Sequence, residues 1–156
     1  MEKIVDFRAI KDISGNLKKQ RKKIVFTNGC FDIIHYGHVK YLERCKRLGD
    51  ILIVGLNSDK SVKKNKGAKR PIMCEKERAY ILSSLQWVDY VTIFDEKTPY
   101  RLIRIIKPDI LVKGGDWRKK NIVGGSFVKR CGGRVLTIPY ISGYSTTSII
   151  EKIKNG

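Results

Sequence analysis

The two histidines of this chain stand three residues apart, in the run Asn28-Gly29-Cys30-Phe31-Asp32-Ile33-Ile34-His35-Tyr36-Gly37-His38. The run follows an apolar segment at residues 24–27 and leads into a stretch with helical period. Residues three apart on a helix share a face, so His35 and His38 can point at one spot beside a helix N-terminus. Free N–H groups and the helix dipole make such an N-terminus a site for anions. Gly37, between the histidines, removes a side chain where a ligand would approach the backbone. The pattern describes a phosphate site at which negative charge builds during a reaction. Scattered surface histidines are the ordinary alternative, and the shared spacing and context argue against it.

The elements that must hold these residues alternate along the chain. Helical period appears at residues 7–20, 37–48, 75–86, 98–106, 124–131 and 145–154. Apolar runs at 24–27, 51–56, 88–94, 110–112 and 134–138 read as strands buried on both faces. Asn57-Ser58-Asp59 offers a helix cap, and a basic loop is expected from there to Cys74. Alternation of this kind predicts an α/β fold: a Rossmann-like, doubly wound parallel sheet with helices on both faces. Ligands of such sheets bind at the carboxyl ends of the strands, near a switch point. The polar segments at 27–32, 57–59, 113–117 and 142–147 all follow strands and converge on that edge. Neither Gly-x-Gly-x-x-Gly nor Gly-x-x-x-x-Gly-Lys-Ser/Thr is present, which argues against a dehydrogenase or a Walker-type kinase.

Composition sets outer bounds. The 156 residues fit one domain, 1–156, with residues 1–22 as an N-terminal helical extension. No apolar run reaches the roughly 18 to 20 residues of a membrane span, and no signal peptide is expected. Four dispersed cysteines fit reduced thiols in the cytoplasm better than zinc or disulfides. The net charge of +18 suits phosphorylated small molecules or other polyanions, though most of the lysines read as a solvated surface. No aromatic stripe interleaves with the basic runs, as single-strand binding would favour.

With its His-x-Gly-His run, the chain resembles the cytidylyltransferase type of nucleotidyltransferase. Further segments resemble the heptose 1-phosphate adenylyltransferases of ADP-heptose synthesis. These are Thr27 to Asp32, Leu48-Gly49-Asp50, Asn57-Ser58-Asp59, Leu111 to Asp116, Ile122 to Gly125 and Gly143 to Ile150. That resemblance covers nearly everything from Lys23 onward. In many bacteria the domain is fused to a sugar kinase, a half this sequence does not contain. The resemblance implies transfer of AMP from ATP to D-glycero-D-manno-heptose 1-phosphate, giving ADP-heptose for lipopolysaccharide or surface glycan. It also implies Mg²⁺ accompanying ATP, with no dedicated metal cage, and a homodimer.

By the same resemblance His35, His38 and Lys66 are catalytic. Nucleotide contacts fall to Asn28, Gly29, Cys30, Phe31, Gly37, Gly114, Gly115, Asp116, Trp117, Tyr144, Ser145, Thr146 and Thr147. Ser145 can also serve as a plain helix cap, and Trp117 either stacks on the base or fills the rim. Phosphate or sugar-phosphate contacts fall to Asp32, Asn57, Asp59, Arg70 and Arg78. Asp32 is expected to brace the preceding turn or orient a histidine, and Arg78 to reach phosphate or pair with an aspartate. Gly67 gives the basic loop room to close over substrate. The glycerol-phosphate cytidylyltransferases carry an arginine shortly before Ser-Thr-Thr, and Tyr140 takes that place here. A cytidylyltransferase for glycerol 3-phosphate or a similar alcohol phosphate is the nearer alternative. A basic nucleic-acid-binding protein is the distant one; no nucleic acid or membrane partner is expected.

Overall fold

Neighbouring apolar residues in each strand face opposite ways, and both faces find partners. Val25, Leu52, Val54 and Val112 join one core cluster, while Ile24, Phe26, Ile53 and Leu111 join another. A strand buried on both faces needs helices above and below it, which is the condition for a parallel sheet. The computed structural model, describing residues 2–115 and 121–156, has that architecture. Strands β1 (Ile24–Gly29), β2 (Ile51–Asn57), β3 (Tyr90–Phe94), β4 (Ile110–Gly114) and β5 (Arg134–Ile138) pair in parallel in the order β3-β2-β1-β4-β5.

Helices α2 (Tyr36–Lys46) and α4 (Glu75–Ser84) cover one face through Leu42, Cys45, Ala79 and Leu82. Helices α1 (Phe7–Lys19), α5 (Tyr100–Ile106) and α6 (Gly125–Arg130) cover the other through Ile10, Leu102, Ile103, Ile106 and Val128. Each fully buried Leu or Ile contributes on the order of 1.5–3 kcal/mol, so either cluster alone outweighs any single surface ion pair. At the strands' N-terminal edge, carboxylates satisfy backbone donors. Asp109 accepts from Ile24 N at 2.8 Å, and Asp89 accepts from Leu52 N at 2.7 Å. The opposite edge is where polar loops gather, and the chain direction switches between β1 and β4.

One expectation changes. Residues 59–66, expected to begin a basic loop, form α3 (Asp59–Lys66), with Ser58 Oγ accepting from Ser61 N at 3.1 Å as its cap. Val62 alone anchors that helix by apolar burial, so its lysines conceal the period. The N-terminal helical extension packs onto the sheet. Residues 3–5 run beside β3, with Val91 N donating to Lys3 O at 2.8 Å and Val5 N to Val91 O at 2.9 Å. This covers a sheet edge, and Ile10 of α1 is fully buried. Among the described residues no helix is long and apolar enough to cross a membrane. The last helix, α7 (Thr146–Asn155), lies on the carboxyl side of the sheet and has no fully buried residue.

Candidate active site

Two residues after β1 adopt positive φ, Phe31 at 46° and Ile33 at 50°. Left-handed backbone at bulky residues stores strain that the surroundings must impose, and it clusters at functional sites. Here it turns the chain sharply into α2. His35 is the N-cap of that helix, and its Nδ1 accepts from Gly37 N at 3.1 Å. Nδ1 of His38 accepts in turn from His35 N at 3.3 Å. An imidazole nitrogen that accepts carries no proton, so in the neutral rings Nε2 bears the hydrogen. The rings stack at 3.8 Å between centroids and 26° between planes, presenting two N–H donors side by side.

Burial lowers the pKa of both histidines. For His38 the nearby charges of His35 and Lys66 add to that effect, bringing it down to about 4. At neutral pH the free protein therefore offers neutral donors, with the fixed positive charge of Lys66 close by. Phe31, expected at the nucleotide, has its ring against His38. Its ring is buried, edge-on to His38 at 5.3 Å, and packs against Gly29, where a Cβ would come within 3.0 Å of the ring. Phe31 thus supports His38 from behind.

The Ser-Thr-Thr segment meets the histidine loop directly. Ser145 caps α7, its Oγ accepting from Ser148 N at 3.0 Å. Thr146 Oγ1 donates to the backbone carbonyl of Asp32 at 2.7 Å. The N-termini of α2 and α7 are thereby held together. Gly37 serves this junction: a Cβ there would lie 3.0 Å from Tyr144 Cβ and 3.0 Å from His35 Cε1. Tyr144 packs on that side of Gly37, and its ring lies 5.1 Å from that of Tyr36. Thr147 remains exposed beside them.

Asp32 neither braces the preceding turn nor orients a histidine through its carboxylate. That carboxylate accepts from Arg70 Nε at 2.9 Å, Ile72 N at 2.7 Å and Met73 N at 3.0 Å. Burial works to raise the Asp32 pKa, and the backbone donors of Ile72 and Met73, then Arg70, outweigh it, leaving a net depression. Arg70 Nη2 is buried and has no hydrogen-bond partner among the described residues, a donor a substrate anion would satisfy. Gly67, at φ 94°, ends α3 and begins the segment that Asp32 pins.

Arg78 and Asn57 form an interior network that reaches out to the partly exposed Asp59. Arg78 is fully buried and donates to Met73 O, Cys30 O, Asn57 O and the Asp59 carboxylate at 2.7–3.0 Å. Pairing with an aspartate is thus the alternative the structure has. Asn57 is buried, and its Nδ2 donates to Ser61 Oγ. By gripping Cys30 O, the arginine fixes the histidine loop from beneath. Nothing in the local sequence separates Arg78 from a surface arginine.

On the other side of β1, Gly114 lies under the ring of Tyr140, where a Cβ would come within 2.6 Å. Gly115 has φ 95° and donates to Ile138 O. Asp116 and Trp117 lie outside the described residues. Lys113, the first residue of the polar 113–117 segment, extends its Nζ to 3.4 Å from Asn28 Oδ1. Among the described residues no group of three or more His, Cys, Asp or Glu is placed to hold a metal ion. A separate cavity of about 610 Å³ between α1 and α5 contains none of these residues.

The order of this parallel sheet, with stacked histidines and two converging helix N-termini at its carboxyl edge, defines a nucleotide-handling class of α/β protein. Residues 26–152 match the cytidylyltransferase-like family, and the chain belongs to that family. It is 56% identical over 154 residues to the bifunctional protein HldE of a Nitratiruptor species, covering 99% of this chain and 32% of that protein. The corresponding protein of Geobacter metallireducens is 57% identical over 136 residues, 87% of this chain and 28% of the relative. The chain thus spans about a third of the length of these relatives. The structure of the lipopolysaccharide core biosynthesis protein from Thermoplasma volcanium is 33% identical, with a TM-score of 0.63, covering 80% of this chain and 99% of that one. A pantoate-beta-alanine ligase from Francisella tularensis, 19% identical at a TM-score of 0.64, shares the fold over 99% of this chain and 77% of its own.

Proposed function

We propose that this chain transfers the adenylyl group of ATP to D-glycero-D-manno-heptose 1-phosphate, releasing pyrophosphate and giving ADP-heptose. The observation that carries nucleotidyl transfer is the pair of Nε2–H donors beside two joined helix N-termini. The heptose is supported by high identity to the HldE proteins and by similarity to a lipopolysaccharide core biosynthesis protein.

An oxygen of the sugar phosphate attacks the α-phosphorus. The bond from that phosphorus to the bridging oxygen breaks, and pyrophosphate leaves with the electron pair. The nucleophile is already an anion, so no general base is needed. Charge grows on the α-phosphoryl and bridging oxygens, and fixed donors aimed there lower the barrier. His35 and His38 supply N–H donors, Lys66 supplies charge, and Thr146, Thr147 and the first N–H groups of α7 receive the β- and γ-phosphates. Arg70 Nη2 is a further phosphate donor. Asn28, Gly29, Cys30, Gly114 and Gly115 line the nucleoside's approach, with Tyr144 at its rim. Asp32, Asn57, Asp59, Phe31 and Arg78 act by position. Mg²⁺ enters as part of the MgATP substrate, held largely by phosphates and water. Reduced cysteines and these substrates fit the cytoplasm, and a homodimer belongs to the same proposal.

The test is a panel of nucleoside triphosphates against sugar and alcohol phosphates, read by pyrophosphate release. ATP with heptose 1-phosphate should be fastest. His38→Ala should cut turnover roughly a hundredfold or more while the protein stays folded. Faster release from CTP with glycerol 3-phosphate would overturn the adenylyl reading. Salt-sensitive nucleic-acid binding, indifferent to both histidines and without turnover, would overturn the enzyme reading.

A further inference from the structure

The geometry points to Lys113 as a further catalytic residue, its ammonium holding a phosphoryl oxygen at the reacting centre. The inference rests on the nucleotidyl-transfer reading above. The register Phe26↔Leu111, carried forward two residues, sets Lys113 opposite Asn28 on the same face of the sheet. Most of the 33 lysines and arginines are surface residues. Lys113 instead continues a buried strand, directly after Leu111 and Val112, at the carboxyl edge where β1 and β4 part.

Its ammonium is poorly served by the described residues. Among them its one hydrogen bond, to Asn28 Oδ1 at 3.4 Å, is long for an N–H···O contact. None of the ion pairs among the described residues includes it. Burial lowers its pKa, which a nearby Cys30 thiolate would oppose. A desolvated cation without a counter-charge is costly, and a bound phosphate oxygen removes that cost. Lysine suits this task as a compact charge with a flexible stem. It takes no proton during transfer. It stays an ammonium while the acceptor–phosphorus bond forms and the bridging bond breaks.

Either the α-phosphoryl of ATP or the acceptor's phosphate can supply the oxygen, and one experiment separates them. Lys113→Met keeps most of the stem, Lys113→Gln tests a neutral polar end, and Lys113→Arg restores the charge. We expect Lys113→Met to lower kcat/KM roughly a hundredfold, with Lys113→Arg recovering part of it and the melting temperature little changed. Calorimetry with a non-hydrolysable ATP analogue, and separately with heptose 1-phosphate, then locates the contact. Weaker analogue binding assigns the α-phosphoryl; weaker sugar-phosphate binding assigns the acceptor. Values of kcat/KM within about threefold of wild type for Lys113→Met and Lys113→Gln overturn the inference. So does a loss that follows the unfolded fraction and that arginine does not reverse. If wild type fails to turn over heptose 1-phosphate, the acceptor reading falls alone. Lys113 is then judged by the analogue arm, where unchanged binding in Lys113→Met overturns it.

Discussion

Thr146 Oγ1 donates to the carbonyl oxygen of Asp32 at 2.7 Å across 114 residues of sequence, joining the two helix N-termini of the candidate site. The same aspartate holds Arg70, Ile72 and Met73 through its carboxylate. One residue therefore sets the histidine loop, the second signature and the basic segment relative to one another. Such mutual placement is worth more to phosphoryl transfer than any single contact, because catalysis there is largely positioning and electrostatics.

Thr146→Val removes the hydroxyl while keeping the branched shape. The lost neutral hydrogen bond should cost about 1 kcal/mol of stability. Turnover should suffer more, falling roughly tenfold as α7 loses its tie to the histidine loop. Steady-state kinetics beside urea unfolding will check this. A stability loss with unchanged kcat would show that α7 holds its place by other means.

Asp32→Asn retains the size of the side chain but weakens its grip on Arg70 and the two backbone donors. Residues 63–70 should become more sensitive to protease, and ATP with heptose 1-phosphate should protect them less than in wild type. Because the folded Asp32 pKa lies below its ordinary value of 3.8, its contribution to stability is full above that value. It fades as the pH falls through the folded pKa. The acid limb of a stability–pH curve should therefore flatten in Asp32→Asn. Equal cleavage in both proteins, with and without substrates, would separate Asp32 from loop order.

Much of this arrangement is legible without the structure. Buried parallel strands announce themselves as apolar runs, and the histidine pair announces itself by spacing at a strand-to-helix turn. What stays hidden depends on contacts distant in sequence. Asp32 finds its partners 38 to 41 residues away, and Arg78 reaches Cys30 across 48. Neither carries a local signature. Helix α3 is masked because Val62 is its one apolar residue and four of its eight residues are lysines. Lys113 opens the polar 113–117 segment, but its approach to Asn28 exists only once the sheet has formed. Gly37 does mark a close approach, and Tyr144 packs there.

The two histidines are the only ones in the chain, so their ring protons can be followed by NMR without ambiguity. In the free protein His38 should titrate near pH 4, well below its ordinary 6.5. Between those values the unfolded chain binds the extra proton, so stability should fall as the pH drops from about 6.5 toward 4. A bound ATP analogue brings negative charge against Nε2 and should raise the His38 pKa. An unchanged titration on saturation would place the phosphates elsewhere.

Removing Arg78 tests the network under the loop. Arg78→Met fills similar volume but leaves Asp59 unpaired and the carbonyls of Cys30, Asn57 and Met73 without their donor. Leaving buried carbonyls without a donor costs about 1–3 kcal/mol, and the partly exposed Asp59 adds little because water reaches it. Urea unfolding should show that loss, and Arg78→Lys should recover little, since one ammonium cannot span the same acceptors. A loss below about 1 kcal/mol would show that the network relaxes around the gap.

Gly37→Ala separates packing from helix propensity. Within α2 the exchange should favour the helix by up to about 1 kcal/mol. The new methyl would stand 3.0 Å from Tyr144 Cβ and from His35 Cε1. His35 is held as the N-cap by its bond from Gly37 N, so the segment carrying Tyr144 must yield. Crowding of this kind costs about 1–3 kcal/mol, which roughly cancels the helical gain. Net stability should therefore change by about 1 kcal/mol or less, while kcat/KM falls roughly tenfold as α7 shifts away from the triphosphate. Chemical denaturation and kinetics on the same preparation will read both quantities. A fully active Gly37→Ala would mean that the Tyr144 segment accommodates the methyl without moving the phosphate-binding turn, and that the junction tolerates slack the close packing does not suggest.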